Sequence, residues 1–223
     1  VNASNDTGLW AEIGGPGMKL LLREDQDIPG LPPGTKVGRF DNGCFASARL
    51  NATDGEAAFT ITMKGASTDS AVLRASVSGF VAREGTPAGS TGESFGFLNG
   101  DYSDAVRMDA QGNIVFGAIL APSQRTSLWY QPVGGGAPVG GLVAGDLAPD
   151  SAGATTAGSA TFRAFDVPSM GAGGTFAFRG VLNADGDNTT NLKNDGIWRG
   201  SVAGGFVNIL RRGGSNASRA GLL

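Results

Sequence analysis

Histidine is absent from the 223 residues, and cysteine occurs only once, as Cys44. Without histidine, the chain lacks the commonest general base and metal ligand, and no nucleophile–histidine arrangement can be built. A single cysteine excludes an intrachain disulfide and a thiolate cluster for zinc, so we interpret Cys44 as a small buried residue. These two absences remove much of the chemistry that enzymes use.

Charge and long apolar runs are also scarce. Charged residues make up 17% of the chain, the formal net charge is −3, and the sequence pI is near 4.9. Because the arginines are scattered and form no basic patch, we expect no binding to nucleic acid. No segment approaches the roughly 20 apolar residues that span a bilayer, so we expect no membrane insertion.

Glycine is abundant, at 38 residues, and no long stretch has the periodicity of an amphipathic helix. This composition favours short strands joined by turns. The sequence therefore predicts an all-β fold with almost no helix.

One five-residue pattern occurs three times, as a glycine, two variable residues, a small residue and a phenylalanine. It occupies residues 55–59, 112–116 and 174–178, with separations of 57 and 62 residues between the glycines. We interpret each glycine as a turn residue with positive φ, after which a strand brings its phenylalanine to the same face in every copy. A period of this length indicates a multi-stranded unit repeated in tandem.

A second pattern recurs four times and begins a predicted hairpin. Its landmark residues are Trp10, Leu73, Trp129 and Trp198, separated by 63, 56 and 69 residues. A second apolar strand follows each landmark, and a loop rich in Gly, Pro, Ser and Asp follows the first three hairpins. We call these four segments the Trp-type hairpins, and we expect their tryptophans to lie in the core, although sugar stacking is an alternative.

Together the two patterns predict about three and a half four-stranded units, at residues 1–64, 65–121, 122–182 and a half unit at 183–223. Four-stranded units of this length most simply form a β-propeller-like arrangement. Three phenylalanine turns against four Trp-type hairpins leave one unit half made, and an open sheet edge requires cover. We expect another copy of the chain to cover it, giving a head-to-tail homo-oligomer.

The repeats resemble those of bacterial surface or secreted tandem-repeat proteins of the choice-of-anchor type, with the pattern Asn-x-x-Gly-x-x-Ala-Phe. A Gly-Ile-Trp strand at residues 196–198 and Arg-Glu-Gly-Thr-Pro-Ala-Gly at residues 83–89 carry the resemblance, together with the three glycine–phenylalanine turns. The resemblance implies an extracellular or cell-surface location more than an activity. The chain departs from the pattern at Ala52, Asp109 and Gly171, which replace the asparagine, and at residues 144–146, where Ala-Gly-Asp replaces Arg-Glu-Gly.

Two kinds of modification or ligand site are suggested by asparagine and aspartate. Asn183, Asp185 and Asp187 alternate around a glycine as calcium ligands do, but no bidentate glutamate follows, so a solvated turn is the simpler interpretation. No other cofactor is predicted. Acceptor triplets for N-glycosylation occur at Asn2, Asn5, Asn51, Asn188 and Asn216.

Carboxylates provide the alternative interpretation as an enzyme. Asp101, Asp104 and Asp109 cluster in one segment and could serve a glycosidase, which needs two carboxyl groups across a cleft. The repeated pairs at residues 23–24 and 83–84, Arg-Glu in both copies, are more simply structural. We therefore predict a structural or adhesive extracellular protein that is not an enzyme and self-associates, possibly into filaments. The alternative is a propeller that binds or hydrolyses glycans through loop carboxylates.

Overall fold

The computed structural model describes residues 7–12, 15–28, 31–38, 49–50, 56–65, 70–75, 79–98, 106–156, 160–166, 168–183 and 195–212. These residues form 17 strands and a single short 3₁₀ turn at Ala172–Gly174. The all-β fold and the near absence of helix are therefore confirmed. Among the described residues, no helix is both long and apolar enough to cross a membrane.

The strands form a two-stranded N-terminal hairpin followed by three five-stranded antiparallel sheets. The hairpin consists of β1 (Gly8–Ala11) and β2 (Lys19–Arg23). The first sheet contains β3 (Lys36–Val37), β4 (Arg49–Leu50), β5 (Ala57–Lys64), β6 (Ser70–Arg74) and β7 (Gly79–Arg83). The second contains β8 (Ser94–Phe97), β9 (Arg107–Met108), β10 (Ile114–Ala121), β11 (Thr126–Gln131) and β12 (Val139–Val143). The third contains β13 (Phe162–Phe165), β14 (Ser169–Met170), β15 (Phe176–Leu182), β16 (Asp195–Ser201) and β17 (Gly205–Arg211).

All three sheets have the same order, in which the phenylalanine strand pairs with the Trp-type hairpin that follows it. In the first sheet β5 pairs with β6, and in the second and third β10 pairs with β11 and β15 with β16. Two short segments, such as β8 and β9, share the other edge of the phenylalanine strand. Each sheet therefore joins the end of one predicted unit to the start of the next.

This pairing places the incomplete sheet at the beginning of the described chain. The hairpin at residues 195–211, assigned above to a half unit, is part of the complete third sheet because it pairs with β15. Within the described residues β1 pairs only with β2. The physical reason is that the hydrogen-bonding partner of each Trp-type strand precedes it in sequence.

The phenylalanine turns have the predicted geometry where they are described. Gly112 has φ +90° and its N–H donates to the carbonyl of Asp109 at 3.1 Å, while Gly174 has φ +73°. A positive φ is strained for any residue with a Cβ, so the glycine is required there. Gly55 lies outside the described residues.

The loops after the outer strands of the first three hairpins also repeat. Asp25, Gly85 and Gly145 all have positive φ, and their N–H groups donate to Val37, Phe95 and Phe162 of the next sheet. Gly145, and not Asp146, therefore occupies the position of Gly85. The segment that corresponds to Arg-Glu-Gly is Val-Ala-Gly at residues 143–145, one residue earlier than the sequence comparison placed it.

Consecutive sheets pack face to face and share one apolar cluster at each contact. Ala58 and Val72 of the first sheet pack with Phe116 and Trp129 of the second. Val115, Leu128 and Leu142 of the second sheet pack in the same way with the aromatic face of the third, formed by Phe162, Phe176, Phe178 and Trp198. Each inner sheet therefore has an aromatic face toward the preceding sheet and an aliphatic face toward the following one.

Candidate functional site

The tryptophans of the second and third sheets are buried core residues. Trp129 and Trp198 are each 1% exposed. The ring centroid of Trp129 lies 4.9 Å from that of Phe95, and Trp198 lies 4.9 Å from Phe162, both with edge-on geometry. This arrangement is favourable for aromatic pairs and agrees with the expectation that these tryptophans are core residues.

Trp10 has the same local geometry but a different environment. A bulge precedes Trp10, as it precedes Trp129 and Trp198, and the Trp10 ring lies over Gly8 as the Trp198 ring lies over Gly196. Trp10 is nevertheless 47% exposed. Among the described strands, none pairs with the other edge of β1, where a phenylalanine strand lies beside Trp129 and Trp198.

Trp10 belongs to an exposed apolar surface on the N-terminal hairpin, which we call the hairpin face. Leu20 pairs with Trp10 and is 47% exposed, and Met18, two residues before Leu20, is 68% exposed. The opposite face of the hairpin is covered, since Leu22 is buried with Val37 and Phe59. Neighbouring exposed apolar side chains such as Trp10 and Leu20 are typical of an interaction surface.

The aliphatic face of the third sheet is the other end of the stack, and we call it the terminal face. Ala177 and Val181 on β15 are half-buried, whereas Val115, at the position of the second sheet that corresponds to Ala177, is fully buried against the third sheet. Arg179 lies between them and pairs with Asp166 at 2.6 Å and Asp195 at 2.9 Å. The hydrogen bonds that Arg179 donates to Asp166 and Asp195 raise the pKa of Arg179 above its usual value.

The terminal face is uneven. One hollow of about 400 Å³ is lined by residues that include Ile197 and Leu210, and a second of about 390 Å³ is lined by residues that include Arg199 and Val207. Leu210 is 49% exposed. This end of the protein therefore combines exposed aliphatic groups with arginines.

A buried carboxylate connects the second and third sheets. Asp109 is 6% exposed, and its Oδ1 accepts hydrogen bonds from the N–H groups of Gln111 and Asn113 at 3.0 and 2.9 Å. Its Oδ2 accepts from Asn113 Nδ2 at 2.7 Å and from the N–H of Gly174, in the third sheet, at 3.0 Å. Burial alone would raise the pKa of Asp109, but the donors from Asn113, Gly174 and Gln111 outweigh it and hold the pKa below its usual value.

This network continues through Asn113. Asn113 Oδ1 accepts from the Tyr130 hydroxyl and from the N–H of Val133, both at 2.9 Å. Burial and the negative charge of Asp109 raise the pKa of Tyr130. The network fixes the turn, the neighbouring strand and the next sheet relative to one another.

Asp109 was one of three carboxylates considered for a glycosidase. Its two oxygens accept four hydrogen bonds, which gives it a structural role between sheets. Asp101 and Asp104 lie outside the described residues. The glycan-hydrolysing alternative therefore stays a prediction that depends on segments outside the described part of the chain.

The repeated Arg-Glu pairs lie at the ends of the hairpins. Glu24 accepts a hydrogen bond from the Thr7 hydroxyl at 2.9 Å, and Glu84 accepts from the Ser70 hydroxyl at 3.0 Å. The guanidinium of Arg83 lies 5.8 Å from the ring centroid of Phe80. These three contacts lie at the hairpins themselves.

Of the three calcium candidates, the structure describes only Asn183. Its Nδ2 donates to the Thr161 hydroxyl at 2.8 Å. Asp185 and Asp187 lie outside the described residues, as do Cys44 and the five glycosylation candidates Asn2, Asn5, Asn51, Asn188 and Asn216. Within the residues that the structure does describe, no three Cys, Asp or Glu side chains are grouped as a metal site would require.

Two internal contacts had not been predicted from the sequence and define how sheets recognise one another. Arg74, on the aliphatic side of the first sheet, is 5% exposed, and its Nη2 donates to Gln131 Oε1 of the second sheet at 3.3 Å. At the junction of the second and third sheets, the Tyr130 hydroxyl packs closely against Gly174. A Cβ added to this glycine would lie 2.5 Å from the hydroxyl oxygen. The sequence distinguishes these two residues by their position in the repeat, because Arg74 directly follows the landmark Leu73 and Tyr130 directly follows the landmark Trp129.

No curated protein and no solved structure matches this chain. Residues 1–221 match the family described as a family of unknown function (DUF7453). Because that match covers nearly the whole sequence, the chain belongs to this family.

Proposed function

We propose that this protein is an extracellular or cell-surface structural or adhesive component whose copies associate head to tail, in a propeller-like arrangement of repeated sheets. The observation that supports the proposal is the exposure of Trp10, 47%, at a position where Trp129 and Trp198 are 1% exposed. Trp129 and Trp198 lie on strands that pair with a phenylalanine strand, and the equivalent Leu73 of the first sheet is half-buried. An exposed copy therefore marks a surface that is complete only when something covers it.

The polar contacts inside the protein agree with a structural role. The buried carboxylate Asp109 acts between sheets, and the repeated Glu24 and Glu84 act within hairpins. These polar groups rigidify the repeat and serve its stability. Rigid repeated sheets with complementary ends are suited to mechanical or adhesive assembly.

The test is the mass of the purified chain as a function of concentration. Sedimentation velocity and light scattering are expected to show association that increases with concentration, and electron microscopy should show rows of particles. A chain that remains monomeric at millimolar concentration would contradict the proposal. Antibody labelling of intact source cells tests the location separately, since an intracellular protein would remain unlabelled.

A further inference from the structure

The internal junctions show how one sheet recognises the next. At the junction of the first and second sheets, Arg74 lies one residue after the landmark Leu73, and Gln131 lies two residues after the landmark Trp129. Both side chains are buried, at 5% and 4% exposure. A donor one residue after the landmark thus meets an acceptor two residues after the next landmark.

The two ends of the stack carry the same two positions, and neither side chain forms an ion pair with another described residue. Arg199 lies one residue after Trp198 on the terminal face and is exposed, with no ion pair to another described residue. Glu12 lies two residues after Trp10 beside the hairpin face and is also exposed. Glu12 Oε1 accepts a hydrogen bond from the N–H of Gly17, which holds its carboxylate near the hairpin.

The charges of the two ends are therefore complementary at positions that touch inside the protein. The donor position holds an arginine inside the protein, Arg74, and also on the terminal face, Arg199. The acceptor position holds the neutral amide of Gln131 inside the protein and the carboxylate of Glu12 beside the hairpin face. Arginine binds carboxylates in charge-assisted pairs that are stronger than its bonds to amides. A copy seated on the hairpin face could make this contact with its own Arg199.

We propose that a second copy of this chain docks its terminal face on the hairpin face in the register of the junction between the first and second sheets. Ile197 and Leu210 of one copy then cover Trp10 and Leu20 of the next, and Arg199 pairs with Glu12. This inference rests on the proposed self-association and specifies its surfaces. It explains why apolar groups are exposed at both ends of the stack and why the two hollows lie on the terminal face.

The size of the contact predicts its strength. The hairpin face has two strands, whereas an internal junction is made between complete sheets. We therefore expect a contact at the small end of specific interfaces, below about 1,200 Å² in total, and a weak affinity. Association should therefore be reversible and sensitive to salt, because a rim ion pair is screened.

Charge reversal tests the contact. Glu12→Arg and Arg199→Glu, measured separately by sedimentation velocity, are each expected to weaken self-association at least tenfold. The double variant, which restores opposite charges, should recover most of the wild-type affinity. Ser90→Glu is the control, since Ser90 is exposed in a loop far along the chain from both landmarks and should leave the affinity unchanged.

Tryptophan fluorescence provides a second measurement. Trp129 and Trp198 are buried, so the fraction quenched by acrylamide reports mainly on Trp10. Quenching should decrease as the chain associates, and the decrease should be absent in Trp10→Phe. If Trp10 is already protected in the dilute monomer, the chain covers its own hairpin and the inference is overturned.

The outcomes separate this inference from the function on which it rests. Self-association that is unaffected by both single reversals places the contact elsewhere, which refutes the proposed docking and leaves head-to-tail assembly standing. A wild-type chain that does not associate at all refutes both. Loss of association in the single variants without recovery in the double variant refutes the specific Arg199–Glu12 pair.

Discussion

The carboxylate of Asp109 offers the sharpest test of how the sheets are held together. Asp109→Asn preserves the shape of the side chain, and the amide oxygen can still accept from the N–H groups of Gln111 and Asn113. Its NH₂ group, however, would replace Oδ2, which accepts from Asn113 Nδ2 at 2.7 Å and from the Gly174 N–H at 3.0 Å. Donors would then face donors in a buried site.

The expected cost follows from these two lost bonds. Hydrogen bonds to a charged group contribute about 1.5–3 kcal/mol each, and a buried unsatisfied donor costs a further ~1–3 kcal/mol. Because the turn and the sheet can relax, we expect a total loss of about 3 kcal/mol in the free energy of unfolding. For a chain of this size that corresponds to a decrease in Tm of roughly 6–12 °C.

Asp150 provides a matched control. Its Oδ1 accepts from the N–H groups of Ala152 and Ala154 at 2.8 and 2.9 Å, with the same residue spacing as in the Asp109 turn. Asp150 is exposed and its side chain makes no described bond to another sheet. Asp150→Asn should therefore change the stability by no more than about 0.5 kcal/mol.

The assay is thermal and urea unfolding of both variants, monitored by circular dichroism and repeated at several pH values. The pKa of Asp109 is lowered in the folded state, so its contribution is present above the unfolded-state value of about 3.9 and is lost as the pH falls through the folded-state value. The difference between wild type and Asp109→Asn should be constant above about pH 5 and shrink below about pH 4. Equal effects of Asp109→Asn and Asp150→Asn would refute the reasoning.

Two further predictions concern packing and calcium. Gly180→Ala should lower the free energy of unfolding by about 1–3 kcal/mol, because the added Cβ would lie 2.6 Å from the Phe162 ring and 2.9 Å from the Trp198 ring. Urea unfolding measures this loss, and an unchanged stability would contradict the packing. Excess calcium should leave Tm unchanged if residues 183–188 form a solvated turn, whereas a rise in Tm that Asp185→Asn abolishes would establish the calcium site.

The repeat architecture was readable from the sequence because its landmarks have local causes. Gly112 requires positive φ for the turn before β10, and alternation in the strand then directs Phe116 into the core. These features depend on short-range geometry, which a single sequence records.

The grouping of strands into sheets was harder to predict from the sequence than the repeat itself. Pairing is decided by hydrogen bonds between β10 and β11 or between β15 and β16, and a repeat pattern has no intrinsic starting point. The sequence comparison also placed the loop glycine one residue late, because the position is identified by the positive φ of Gly145 and its N–H bond to Phe162. Strand partners and register are long-range properties, and periodicity alone does not fix them.

The sequence by itself determined the all-β class, the repeat and the residues that build each turn, because glycine conformation and strand alternation are local. Only the tertiary structure decided that Trp10 differs from Trp129 and Trp198, although all three sit in similar strands. It also decided that Asp109 links two sheets, since Gly174 is distant in sequence and close in space. The physical reason is that burial and hydrogen bonding depend on which sheet lies opposite, and that information arises only when the sheets pack.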